Sequence, residues 1–168
     1  MKVAFDSRAA SDPNGVGRYS RCLLQALRET ASEEDEIFET HRPRGADLFH
    51  TPWMQGAMLH SPCPMVVTLH DLTAVKRPSE RLRCGGMHMR LRRLAVQRAV
   101  NVIVPTDALA HDAIAELGLE RERLVVIPDA PDPAAPAWAG EDAERETWRV
   151  YGWAHAIWDV YARASTAA

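Results

Sequence analysis

Apolar residues fall along this chain in two kinds of block. The short blocks are "KVAFD" (2–6), "ADLFHT" (46–51), "PMVVTLHDL" (64–72), "VNVIVPT" (100–106) and "RLVVIPD" (123–129). Each is rich in apolar or β-branched residues and ends in polar turn formers, the pattern of a buried strand. The long blocks repeat apolar positions at spacings of three and four. Val16, Tyr19, Leu23, Leu24 and Leu27 predict a helix from Gly15 to about Arg28. A second helix is predicted over roughly 79–99, with Gly85 and Gly86 dividing it. A third is capped by Thr106 or Asp107, runs to Leu117 and stops at Gly118.

Strands alternating with helices, most strands being continuous apolar runs, predict parallel strands covered on both faces. The expected fold is a Rossmann-like, doubly wound α/β sheet. Such sheets bind ligands at the carboxyl ends of their strands. The residues to watch there are Asp6, Ser7, His50, Thr51, His70, Asp71, Thr106, Asp107 and Asp129.

After Asp129 the pattern changes. "APDPAAPAWAG" (130–140) has three prolines and five alanines and reads as a semi-rigid linker. The next stretch, 141–164, reads as a helix with acids at its start and Arg163 near its end. Trp148, Tyr151, His155, Trp158 and Ala162 form one stripe on it. A helix with three tryptophans needs a surface to pack on, either its own domain or a partner protein.

Composition narrows the class. The chain has 168 residues, 46% hydrophobic and 26% charged, which suits one globular domain with its own core. A net charge of −3 gives no global field for nucleic acid. The charge is uneven, however. "ETASEEDEIFE" (29–39) is acidic, whereas residues 76–98 hold eight Lys or Arg and one Glu. These are either solvated faces or, for the basic stretch, a surface toward anionic lipid or a phosphorylated ligand. Cys22, Cys63 and Cys84 lack C-x-x-C spacing and read as reduced thiols of a cytoplasmic protein. No apolar run of membrane-spanning length and no signal-peptide pattern are seen. His50, His60 and His70 recur at tens, which matches no structural period, so no metal site is expected.

The chemistry centres on "SDPNGVGRYSRCLLQAL" (11–27), a glycine loop between strand and helix. A dinucleotide fingerprint would need a third glycine where Ser20 stands, and an acidic residue ending the next strand. A phosphate-binding G-K-[ST] is absent from the sequence. Two readings remain. Gly15 and Gly17 let a ligand anion approach the helix N-terminus beside Arg18, or they only make the turn. His70 and Asp71 are neighbours on a strand end and point to opposite faces, so they form no dyad alone. No G-x-S-x-G offers a nucleophile.

Four segments in register carry a resemblance. "NGVGRYSRCLLQAL", "ADLFHTPW", "PCPMVVTLHDL" and "NVIVPTDALAHDAIAELGLERERLVVIPDAPD" resemble retaining family-4 glycosyltransferases of the GT-B fold, group 1 type, over residues 1–132. The resemblance implies half of a GT-B fold. Residues 1–132 would be the Rossmann-like acceptor domain, 133–140 a linker, and 141–168 the family's terminal helix, packed back on that domain. It implies that His70 is catalytic, contacting the transferred sugar. It implies that Gly15, Gly17, Arg18, Tyr19, Asp71, Thr106 and Asp107 bind substrate. Asp129 and Ala130 stand where the family has Asn-Gly.

The family's second, donor-binding domain and its Glu-x7-Glu signature are not matched, and the span from Thr30 to Gly45 looks short of a strand. The implied function is therefore the acceptor side of a sugar-nucleotide-dependent hexosyl transfer, incomplete for catalysis alone. The alternative is a non-catalytic acceptor-, partner- or membrane-binding module. No metal or other cofactor is implied. The implied partners are a sugar acceptor or nucleotide-sugar, a donor-domain protein or second copy of the chain, and the inner membrane surface through 76–98. No nucleic acid is expected.

Overall fold

A computed structural model describes residues 1–13, 15–76, 86–129 and 142–166. Six strands form one sheet: β1 (Lys2–Phe5), β2 (Glu36–Glu39), β3 (Leu48–Thr51), β4 (Met65–Thr68), β5 (Asn101–Val104) and β6 (Leu124–Val126). Their spatial order is β2-β1-β3-β4-β5-β6, and every neighbouring pair is parallel. The helices are α1 (Gly15–Thr30), α2 (Thr73–Lys76), α3 (Gly86–Val96), α4 (Asp107–Leu117) and α5 (Asp142–Ser165). The expected doubly wound, Rossmann-like α/β sheet is what forms.

Each strand alternates its side chains between two cores. Val3, Phe5, Leu48, Val66 and Ile103 face α1 and α5. Ala4, Phe49, Met65, Val67, Val102 and Val104 face the opposite cluster, which takes in Met89 and Val96 of α3 and Ala110, Ala113 and Leu117 of α4. The predicted caps of α4 form. Thr106 Oγ1 accepts from Leu109 N at 3.2 Å, and Gly118 ends the helix at φ 67°, the left-handed conformation that favours glycine.

Two expectations change. The span between Thr30 and Gly45 does contain a strand. β2 is a short edge strand pairing Lys2–Phe5 with Glu36–Glu39. Its two apolar residues point opposite ways, Ile37 to one core and Phe38 to the other, so four residues show no periodicity. Of the helix predicted over 79–99, α3 (Gly86–Val96) is the described part; residues 77–85, with Gly85, lie outside the described residues. So does the predicted linker, together with Ala130.

The second change concerns the terminal helix. It docks on the chain's own sheet, but not through the predicted stripe. Val150, Trp153, Ala154, Ile157, Val160, Tyr161 and Ala164 are buried, while His155 and Ala162 are exposed. Tryptophans five apart are separated by about 140° around a helix of 3.6 residues per turn, so they cannot share one face. The small residues Ala154 and Ala164 let the helix lie close, and Trp158 sits at the edge, donating Nε1–H to Thr30 Oγ1 at 3.1 Å. Ile157 and Tyr161 are fully buried, and each such side chain contributes roughly 1.5–3 kcal/mol before entropy. Without α5, the Leu48, Val66 and Ile103 face would be bare beyond α1. Among the described residues no helix is long and apolar enough to cross a membrane.

Candidate functional site

The polar residues at the strand ends divide into those the fold consumes and those left facing a pocket. Asp6, just after β1, is consumed. Its Oδ1 accepts from Arg8 Nε at 2.8 Å, and its Oδ2 accepts from Arg8 Nη2 at 2.8 Å, Trp53 Nε1 at 3.0 Å and Thr51 Oγ1 at 3.2 Å. Burial pushes the Asp6 pKa up, but the hydrogen bonds of Arg8 and Trp53 and the Arg8 charge outweigh it, leaving the carboxyl below its ordinary value. Gly56 closes over this knot. A Cβ there would lie 1.9 Å from Thr51 Oγ1 and 2.3 Å from Asp6 Oδ2. The topological switch point, between β1 and β3, is therefore filled by protein.

His50 is consumed as well. It is fully buried between Tyr161 of α5, whose hydroxyl shares a short hydrogen bond with Nδ1, and Thr68 of β4, whose Oγ1 lies 2.9 Å from Nε2. The Thr68 hydroxyl then meets the Tyr19 hydroxyl at 3.4 Å. Burial pushes the His50 pKa from 6.5 down to about 3, so the ring is neutral, one nitrogen donating and the other accepting.

Beside this chain of polar groups opens a pocket of about 260 Å³. The first turn of α1 lines it with Gly15, Val16 and Arg18, followed by Tyr19 and Cys22. The loop after β4 adds His70 and Asp71, the segment after β6 adds Asp129, and α5 adds Trp153. His70 Nε2 lies 2.9 Å from the Pro52 carbonyl oxygen, which can only accept, so Nε2 carries the proton. Burial lowers the His70 pKa, against the opposing pull of Pro52, Asp129 and Asp71. Near neutral pH the ring is thus neutral with Nδ1 as its acceptor. Burial raises the Asp129 pKa, with His70 and Arg18 acting against the rise. Three rings stand edge to face along the wall: Trp153 to Tyr19 at 5.2 Å and Tyr19 to His70 at 4.4 Å.

Gly15, Arg18, Tyr19, His70 and Asp71, all read from the sequence as site residues, are brought together here. Asp71 also accepts from Thr73 N at 2.8 Å and so starts α2. Gly17, Thr106 and Asp107 do not line this pocket. Gly17 is small because a Cβ would lie 1.8 Å from the Asp12 carbonyl oxygen; a Cβ on Gly15 would meet nothing within 4 Å. Thr106 caps α4, and Asp107 is exposed. Trp153 was not singled out from the sequence, and no local signal marks it, since it sits 83 residues from His70 in the chain (153 less 70). Among the described residues no group of three or more His, Cys, Asp or Glu is placed to hold a metal ion.

Residues 36–135 match the Glyco_transf_4 domain, Glycosyltransferase Family 4, and these make up more than half of the chain. The chain belongs to that family. The matched stretch includes His70, Asp71 and Asp129, while α1 precedes it and α5 follows it. No curated protein matches the chain.

Proposed function

We propose, taking membership of glycosyltransferase family 4 as the premise, that this pocket is the acceptor-side half of a sugar-nucleotide-dependent, retaining hexosyl transfer site. The observation that carries the reading is the convergence of a neutral His70, with Nδ1 as acceptor, on the first turn of α1 and Arg18. A sugar hydroxyl can donate to Nδ1. The amides of a helix N-terminus and a guanidinium can hold the adjoining phosphate and stabilise its departing charge. Gly15 is the loop glycine with open space above it, which leaves its backbone approachable. In this reading Gly17, Thr106 and Asp107 support the site rather than touch substrate, and Tyr19 forms its wall.

The pocket is smaller than the roughly 300–1,000 Å³ of most small-ligand sites. It suits one sugar ring or one phosphate, not a whole nucleotide-sugar. The reading therefore leaves nucleotide binding to a second domain of the GT-B type outside residues 1–168, and expects these residues alone to be inactive. The test is backbone-amide NMR during titration with nucleotide-sugars and nucleoside diphosphates. Shifts at Gly15, Arg18 and His70, lost in His70→Ala with the fold intact, are expected. Binding that survives His70→Ala would overturn the role of His70.

One observation favours a second reading, a membrane-surface module. Met87, Leu91 and Leu94 stand exposed at spacings of four and three on α3, next to Arg90. Binding to phosphatidylglycerol vesicles that falls with salt, is absent with phosphatidylcholine and is unchanged in His70→Ala would support it.

A further inference from the structure

A second concave surface lies toward the amino ends of the strands, away from the His70 pocket. Two adjoining cavities of about 580 and 450 Å³ share His60, Ser61 and Pro62. Arg42 and Arg44 line the first, and Arg98 lines the second, which runs to Met65 and Val100 where β4 and β5 begin. Neither cavity shares a lining residue with the His70 pocket. The charge here is one-sided. Arg42, Arg44, His60 and Arg98 are exposed, and among the described residues none of them has an ion pair. By contrast Arg8, Arg28 and Arg123 each meet a carboxylate within 3.0 Å. Among the described residues no Asp or Glu lines either cavity, and Asp47 accepts from Lys2 N at 2.7 Å instead. The backbone holds the arginines in place. Arg44 N donates to the Arg42 carbonyl oxygen at 2.8 Å, closing a three-residue turn around the buried Pro43. Cys63 Sγ–H donates to the Pro43 carbonyl oxygen at 3.8 Å and ties this turn to the loop that carries His60 and Ser61.

We propose that this groove is a second ligand site, taking a phosphate group carried on an organic body, with Arg42 and Arg44 on the phosphate and His60 beside them. The inference goes beyond the sugar-transfer reading and does not depend on it. Like charges around one depression repel each other, and a bound anion relieves that repulsion. The donor set selects the anion. Two guanidinium forks, an imidazole N–H and the Ser61 hydroxyl offer more donors than one carboxylate can use, whereas the several oxygens of a phosphate take them up. Each cavity falls within the roughly 300–1,000 Å³ of small-ligand sites, so there is room for more than the phosphate. Met58 and Pro62 give the organic body an apolar wall. The ligand sits apart from His70, so this site binds and does not react.

The experiment titrates the whole ¹⁵N-labelled chain with AMP, with adenosine as the uncharged counterpart and sodium chloride at matched ionic strength as the control. The expected result is saturable amide shifts at Arg42, Arg44, His60 and Ser61 with AMP, absent with adenosine and with chloride. Arg42→Gln with Arg44→Gln is expected to weaken AMP binding at least about tenfold, and His70→Ala to leave it unchanged. Both arginines are exposed, so the double variant should fold; if it does not, the shift pattern of the parent chain decides. A second arm uses vesicles of phosphatidic acid in phosphatidylcholine. Vesicle binding that the double variant loses, without a response to AMP, would support the phosphate site with a lipid headgroup as its source. Equal shifts with chloride would show general counter-ion binding and overturn the proposal. AMP shifts confined to Gly15, Arg18 and His70 would overturn it too and leave the proposed function standing. No response of the groove to AMP or to the vesicles would overturn the site outright.

Discussion

The hydroxyl of Tyr161 on the terminal helix meets Nδ1 of His50 on β3 across 111 positions of the chain. Both side chains are fully buried, and the contact continues through Thr68 to Tyr19 at the pocket wall. One polar chain therefore links the last helix, two central strands and the first helix. Removing its outer member leaves a buried ring nitrogen unmatched. Tyr161→Phe is expected to cost about 1–3 kcal/mol in urea unfolding.

The same pair predicts a pH dependence. The folded His50 pKa, about 3, lies below the unfolded 6.5. Between these values the unfolded chain binds a proton that the folded chain refuses. Stability is thus full above pH 6.5 and is lost as pH falls toward 3, at up to about 1.4 kcal/mol per pH unit. His70 is shifted in the same direction and adds to the slope, whereas the raised Asp129 opposes it. The comparison that isolates His50 is chemical denaturation of the parent and His50→Asn at several pH values from 7.5 to 4.5. The variant should be less stable at the top of this range and show the shallower decline.

The two loop glycines should separate. Gly17→Ala drives a methyl into the Asp12 carbonyl and is expected to lose about 1–3 kcal/mol. Gly15→Ala has open space and should change stability by about 1 kcal/mol or less. Thermal unfolding measures the difference. Equal losses would mean that the loop repacks around either methyl group.

Asp6 gathers Arg8, Thr51 and Trp53 at the end of β1. Asp6→Ala takes the buried acceptor away from Arg8 and Trp53, while Thr51 Oγ1 keeps the Trp53 carbonyl oxygen at 3.2 Å. Because Arg8 itself is half-exposed, the expected loss is about 2–4 kcal/mol, at the lower edge of that for a fully buried pair. Gly56→Ala should show a comparable loss, since its Cβ would enter the same knot. Urea titration of both variants checks this.

Thr106 tests whether a motif position acts structurally. Thr106→Ala removes the cap of Leu109 N and should cost about 1 kcal/mol, with pocket amide shifts on ligand addition unchanged. Weakened ligand binding would place Thr106 in the site after all.

Much of this protein is written locally. Five of the six strands, the start and stop of α4, and His70 at a strand end follow from apolar runs and turn residues, because period and capping act within a few positions. β2 escapes because two apolar residues facing opposite cores leave no period to read. What the residues alone could not decide is which polar groups spend themselves on each other. Asp6, His50 and His70 look alike as polar residues near strand ends. Yet the first closes the switch point, the second is buried under α5, and the third faces the pocket. The face of α5 was open for the same reason: a helix rich in aromatics has several apolar stripes, and the shape of the sheet selects one. Sequence set the elements and the family; the packing of helices 100 or more residues apart set the pocket, because burial and hydrogen-bond partnership are properties of the assembled chain.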